Sequence, residues 1–189
     1  MISDNDIIAL AEAFGIEEAA ARAVIEVESR GKGYDEKGRV KILFEPHIFY
    51  REIKDPKIRD EAVQRGLAYR TWGTLPYEKD SYKKFNPAFY LDPIAAMRSC
   101  SWGLGQVMGF NHEAAGYDDV GQMVDAFKKS EFNQLCGMFN FIRFHGLDKH
   151  LRAKNWTAFA KGYNGPAYAK NGYHTKLEKA YAKWSAEKK

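Results

Sequence analysis

The run Glu17-Glu18-Ala19-Ala20-Ala21-Arg22-Ala23-Val24-Ile25-Glu26-Val27-Glu28-Ser29 reads as a helix that ends on a carboxylate. Alanine is the strongest helix former, and an acidic start suits the positive end of the helix dipole. Ala20, Ala23, Val24 and Val27 share one face and form the expected buried stripe. Gly31 and Gly33 are the expected stop. Glu28 borders the stripe and lies in the last turn, where both the dipole and apolar burial disfavour a negative charge. A carboxyl held protonated in this way can hand a proton to a leaving oxygen. On periodicity alone, a plain surface carboxylate near a helix end is the stronger reading.

Working outward, Asp4 to Phe14 forms a short helix with Asp4 as its cap, Ile7, Ile8, Ala11 and Phe14 on one face, and Gly15 as its end. Tyr34 to Arg39 is a turn. Val40 to Phe44 is short and β-prone, which predicts a small hairpin or strand pair. His47 to Glu52 returns to helix behind Pro46. Asp55 to Pro93 reads as irregular, punctuated by Pro56, Pro76, Pro87 and Pro93, with a short helix over Asp60 to Leu67 and a lobe beside a cleft. Helical periodicity resumes at Pro93 and breaks at the glycine-rich Ser101 to Gly109. Helices are expected again at Val120 to Lys129, Glu131 to His145, Leu147 to Leu151, Trp156 to Tyr163 and Tyr168 to Trp184. Of these, Glu131 to His145 carries Phe132, Leu135, Met138, Phe139 and Ile142 and reads as the central buried helix. No repeat, low-complexity segment or linker interrupts residues 1–189, so the expectation is one mainly α domain with a small β-hairpin element.

A chain of 189 residues with 45% hydrophobic and 29% charged residues can bury a globular core. Two cysteines, Cys100 and Cys136, are too few for a disulfide framework. The start, Met1 to Asp6, lacks the basic and apolar regions of a secretory signal, and no apolar run is long enough to span a bilayer. Synthesis in the cytoplasm without membrane insertion is therefore expected. The net charge of +4 is mild, and Lys161, Lys170, Lys176, Lys179, Lys183, Lys188 and Lys189 crowd the C-terminal end. The plainer reading of these lysines is a solvated helix face.

Glu45, at the end of the β-prone segment, is a second carboxylate candidate. A helix-end acid and a carboxylate across a cleft are the two groups a glycosidase needs. A cap or salt bridge ahead of Pro46 explains Glu45 equally well, and Asp35 is a weaker rival already explained by its turn. His112-Glu113 lacks the second histidine of a zinc-protease helix, and the other histidines are scattered. No metal site and no cofactor is expected. Gly103, Gly105 and Gly109 miss the dinucleotide spacing, and Ser101 has no nucleophile-elbow context. The basic tail carries no nucleic-acid recognition motif.

Three segments shift the balance. Glu28-Ser29 ahead of glycines, then Gly103-Leu104-Gly105-Gln106, then Gly162-Tyr163-Asn164 resemble the Glu-Ser, Gly-Leu-x-Gln and Ala-Tyr-Asn motifs of the lysozyme-like superfamily, in the same order. Goose-type lysozymes and soluble lytic transglycosylases carry these motifs. More closely, Val27-Glu28-Ser29-Arg30-Gly31, Ile42-Leu43-Phe44-Glu45-Pro46-His47, Ser101 to Gln106 and Tyr163-Asn164-Gly165-Pro166 resemble the N-acetylmuramidase family of bacteriophage endolysins and related bacterial proteins.

The resemblance implies a two-lobed lysozyme-like fold that cleaves the β-1,4 bond between N-acetylmuramic acid and N-acetylglucosamine in peptidoglycan. Glu28 would be the general acid, and Glu45 would assist water or stabilise the transition state. Ser29 would orient Glu28 or hold the helix end. Gly103, Leu104 and Gln106 would set backbone and the Gln106 amide against an N-acetylated sugar. Tyr163 and Asn164 would complete the cleft, with the Tyr163 hydroxyl within reach of Glu28. The partner would be the glycan strand, met by a monomer released from the host cytoplasm, with no nucleic acid involved. The basic C-terminal helix, with Tyr173, Leu177, Tyr181 and Trp184 on one side, would add contact to an anionic envelope. Gly105 and Gly162 depart from the superfamily's usual residues and blur the line between hydrolase and transglycosylase. A non-catalytic wall-binding module is the other alternative.

Overall fold

Ser3, rather than Asp4, starts the first helix. Its hydroxyl accepts the Asp6 N–H at 3.2 Å, and the Asp6 carboxylate accepts the Ser3 N–H at 2.8 Å. This reciprocal capping box opens α1 (Asp4–Phe14), and Gly15 closes it in the left-handed conformation at φ 60°. α2 (Glu18–Glu28) follows within a residue of expectation, burying Ala19, Ala20, Ala21, Ala23 and Val24 while Val27 is only half-buried. The computed structural model describes residues 2–29 and 32–187. The expected helix stop at Gly31, the Arg30-Gly31 end of the first motif, and Met1, Lys188 and Lys189 lie outside the described residues.

The β-prone segment forms β1 (Ile42–Phe44), but its partner is not local. β1 pairs antiparallel with β2 (Cys100–Trp102), which pairs with β3 (Val107–Met108). The hairpin expected around Tyr34 to Phe44 shrinks to a single bridge between Tyr34 and Val40. The true hairpin is β2–β3, inside the glycine-rich stretch. Phe44, Cys100 and Trp102 point into the core, so Leu43 and Ser101 take the opposite face. The Glu45 N–H donates to Ser99 O at 2.9 Å and carries the ladder one step further. Alternation therefore sets Glu45 on the same face as Leu43 and Ser101.

Residues 55–93 are more helical than expected. α3 (Pro46–Glu52), α4 (Pro56–Gln64), α5 (Tyr82–Leu91) and α6 (Pro93–Arg98) leave only the stretch around 65–81 irregular. Pro56 and Pro93 open helices, where a missing N–H costs nothing, and Asp55 and Asp92 cap them at 2.8 and 2.9 Å. Pro87 sits inside α5, and the carbonyl it leaves without a helical partner belongs to exposed Lys83.

α7 (Val120–Lys129) and α8 (Glu131–Phe144) follow, α8 capped by Ser130 on Asn133 at 3.1 Å. Leu135, Met138, Phe139 and Ile142 are fully buried, so α8 is the central helix as read. Then come α9 (Asp148–Arg152), α10 (Trp156–Asn164) and α11 (Tyr173–Ala186). α11 lies along α2. Leu177 is buried, Tyr181 donates to Glu17 at 3.0 Å and Trp184 donates to Glu26 at 2.9 Å. Tyr181 and Trp184 thus fasten α11 to α2.

Candidate active site

Glu28 is the last residue of α2, and Asn164 is the last residue of α10. The Asn164 Nδ2 donates to Glu28 Oε2 at 2.9 Å, joining two helix ends across 136 residues of sequence. Asn155 caps α10 on Ala158 at 3.0 Å, and Trp156 and Phe159 bury its inner face. Tyr163 stacks on Phe159 with ring centres 5.5 Å apart and planes 10° from parallel. Its hydroxyl donates to Gly105 O at 3.2 Å. Burial first, then the nearby Glu28 charge, push that hydroxyl well above the usual phenol range, so it keeps its proton to donate at neutral pH.

The Tyr163 hydroxyl feels the Glu28 charge, and the Asn164 amide bonds Glu28 directly. Successive helix positions are a quarter-turn or so apart, so Tyr163 faces the glycine turn while Asn164 faces α2. Asn164 Oδ1 is buried and has no hydrogen-bond partner among the described residues. Ser29 is buried, and its N–H donates to Ile25 O at 3.0 Å, closing α2 directly behind Glu28.

The turn between β2 and β3 is closely packed at its glycines. Gly103 sits at φ 67°, and a Cβ there would lie 2.7 Å from Gln134 Oε1. A Cβ on Gly105 would lie 2.7 Å from Met138 Cγ. The glycines let the turn press against α8. Leu104 buries its side chain in the core and donates its N–H to Gln134 Oε1 at 2.9 Å. Gln134, fully buried, also donates to Phe127 O at 2.9 Å. The Gln106 amide is engaged within the turn: Nε2 donates to Gly103 O at 2.8 Å, and Oε1 accepts from Ser101 Oγ at 2.8 Å. These bonds hold Gln106 in a left-handed backbone, φ 48°, that a side chain rarely adopts. Gln134 was not singled out from the sequence, although a glutamine within an apolar helical face was a usable signal.

Glu45 stands at the far end of β1 from this turn, roughly 10 Å along the strand at the usual rise per residue. It holds the N-cap position of α3 but its side chain makes no cap bond. Instead Oε2 accepts from the Tyr77 hydroxyl at 2.6 Å and lies 3.3 Å from His47 Nδ1. Burial, then the hydrogen bond to Glu45, raise the Tyr77 hydroxyl. Tyr77 and its loop were not read as functional, because nothing in an irregular aromatic stretch shows where it folds back. Asp35 is absorbed by its turn, accepting from the Lys37 and Arg39 N–H groups at 2.9 Å each.

The arrangement is a shallow floor of Leu43 and Ser101. The Glu28–Asn164 pair and Tyr163 stand beyond the glycine turn at one end, and Glu45 stands at the other. Two carboxylates and a set of oriented donors can support proton transfer to a leaving oxygen. Among the described residues, no three His, Cys, Asp or Glu side chains gather to hold a metal ion, and no helix is long and apolar enough to cross a membrane.

A family model described as N-acetylmuramidase matches residues 17–185. Among solved structures, the Burkholderia AP3 phage endolysin is similar with a TM-score of 0.89 and 36% sequence identity, over 100% of this chain and 72% of that one. No curated protein matches. A family match over nearly the whole length, on a helix-end glutamate held by the asparagine of the third motif, leads to one conclusion: the chain belongs to the N-acetylmuramidase family.

Proposed function

We propose that this lysozyme-type glycoside hydrolase cleaves the β-1,4 bond between N-acetylmuramic acid and N-acetylglucosamine, with Glu28 as general acid and Glu45 as the carboxylate that directs water. The observation that carries this is the 2.9 Å bond from Asn164 to Glu28. A donor fixed on Oε2 orients the carboxyl at the end of the helix. Glu28 then protonates the leaving oxygen as the glycosidic bond breaks, and water assisted by Glu45 attacks the sugar carbon. Ser29 holds the helix end. Tyr163 keeps the Gly103-Leu104-Gly105-Gln106 turn in register, so that its backbone meets the N-acetylated sugar.

Residues 1–189 act as one catalytic domain and as a monomer on the glycan strand, as an endolysin made in the host cytoplasm and released to the wall. Exposed Lys176 and Lys179 on α11 supply the contact to an anionic envelope. Replacing both with glutamine weakens adsorption to walls at low salt more than at high salt; equal adsorption at both would remove that contact.

The test is mass spectrometry of muropeptides released from purified peptidoglycan. The wild type gives reducing-end N-acetylmuramic acid, and Glu28→Gln loses roughly a thousandfold in rate. Anhydro ends together with a dispensable Glu45 would instead identify a lytic transglycosylase. Binding without release of product from the wild type would make the chain a wall-binding module.

A further inference from the structure

Between Tyr69 and Asp80 the chain leaves the body of the molecule, and residues 70–79 are all exposed. This arm is fastened at its ends. Tyr69 donates its N–H to Pro46 O at 3.3 Å and its hydroxyl to Gly66 O at 2.8 Å. Asp80 accepts from Arg39 at 3.0 Å and from Lys37 at 3.3 Å. A pocket lined by His47, Tyr69, Leu75, Tyr77 and Lys84 lies beneath it.

The arm carries large apolar groups in water: Trp72 is 67% exposed, Leu75 52% and Tyr77 47%. Exposed rings on a loop cost solvation and point to a ligand. The middle of the arm reaches the body through the Tyr77 hydroxyl, which donates to Glu45 Oε2 at 2.6 Å. The Trp72 indole N–H donates to that same hydroxyl at 3.1 Å. Indole, phenol and carboxylate are thus in series. With its only donor engaged, Trp72 has flat faces left to offer. On the carboxylate, Tyr77 and His47 take Oε2, and Oε1 accepts no hydrogen bond from the described residues.

We propose that the arm is a sugar-binding element of the cleft. Trp72 and Leu75 supply the apolar surface on which a pyranose ring of the glycan strand packs. Tyr77 is a positioning residue that fixes Oε2 of Glu45 so that Oε1 meets water. The positioning half rests on the muramidase reading with Glu45 as the water-directing carboxylate. A sugar seated on Trp72 steadies the indole N–H on Tyr77, so occupancy of this subsite and alignment of the carboxylate are coupled.

Two measurements test the halves separately. In the first, the inert Glu28→Gln protein and Glu28→Gln/Trp72→Ala are sedimented with purified peptidoglycan sacculi. The second variant binds about tenfold more weakly, and Glu28→Gln/Trp72→Phe, which keeps a ring, recovers most of the loss. Equal binding by Glu28→Gln with and without Trp72→Ala overturns the sugar-binding role whatever the chemistry. In the second, turnover is compared for Tyr77→Phe, Glu45→Gln and the double variant. Tyr77→Phe lowers kcat roughly tenfold to a hundredfold with KM little changed, and adds nothing in the Glu45→Gln background. A full additional loss there overturns the positioning role. Wild-type turnover by Glu45→Gln overturns the reading of Glu45 and the positioning role with it, leaving the sedimentation result to stand alone.

Discussion

Gln134 holds the active-site turn from inside the core. It receives the Leu104 N–H and donates to Phe127 O, and both bonds are out of reach of water. Gln134→Ala leaves the buried Leu104 N–H unsatisfied, while Phe127 O keeps the Tyr34 hydroxyl, and costs about 1–3 kcal/mol, read as a lower midpoint in urea with unchanged slope. Gly105→Ala places a methyl against Met138 and costs about 1–3 kcal/mol by the same measurement, with activity falling alongside because Tyr163 bonds the Gly105 carbonyl. At this scale the sequence was readable where the chemistry is carried by residue type. Glu28, Tyr163 and Asn164 were found by motif and do converge. Gln106 comes from the same motifs, and its bonds to Ser101 and Gly103, only a few residues away, could not be read there. Side-chain bonds that close a turn on itself leave no periodic trace.

Helices were legible and the sheet was not, for a physical reason. A helix satisfies its backbone locally, so caps and apolar spacing announce it. β1 finds its partner at Cys100–Trp102, and nothing between them records the pairing. Proline misled in the segment 55–93, because Pro56 read as a break and serves as a first-turn residue. The arm itself is tied to the first turn by charge. Arg39 bonds Asp35 at 2.8 Å and Asp80 at 3.0 Å. Partial desolvation alone would raise both carboxyls, but the Arg39 bonds and backbone N–H groups outweigh it and hold both below the usual range. Carboxyls with depressed folded values contribute stability that is fully present above their unfolded value and lost as pH falls through the folded one. The gap in thermal midpoint between wild type and Arg39→Met is therefore expected to be steady at neutral pH and to close below about pH 4. A gap that does not change with pH would mean that the bracket contributes only packing.

Across the whole molecule, the first and last thirds are one packing unit. α11 covers α2 through Leu177 and Ala180, and Tyr181 and Trp184 reach Glu17 and Glu26. Removing α11 uncovers the helix that ends on Glu28. A chain cut after Gly172 is expected to lose its cooperative thermal transition together with activity, whereas lysine-to-glutamine changes on the outer side of α11 leave the transition in place. Calorimetry on the two distinguishes a structural helix from a detachable wall anchor. The sequence suggested the anchor because aromatic and basic residues alternate there; which side meets α2 depends on a partner about 150 residues away.

The two cysteines give the molecule a built-in reporter. Cys100 is wholly buried in β2, opposite Phe44 and beside Glu45, while Cys136 is half-buried on α8. Burial, then the Glu45 charge, keep the Cys100 thiol neutral and slow to react. A thiol-labelling reagent will tag Cys136 first and reach Cys100 only when the strand pair parts. The rate of that second tag times the opening of the floor between the two carboxylates, and a glycan strand bound across that floor should slow it.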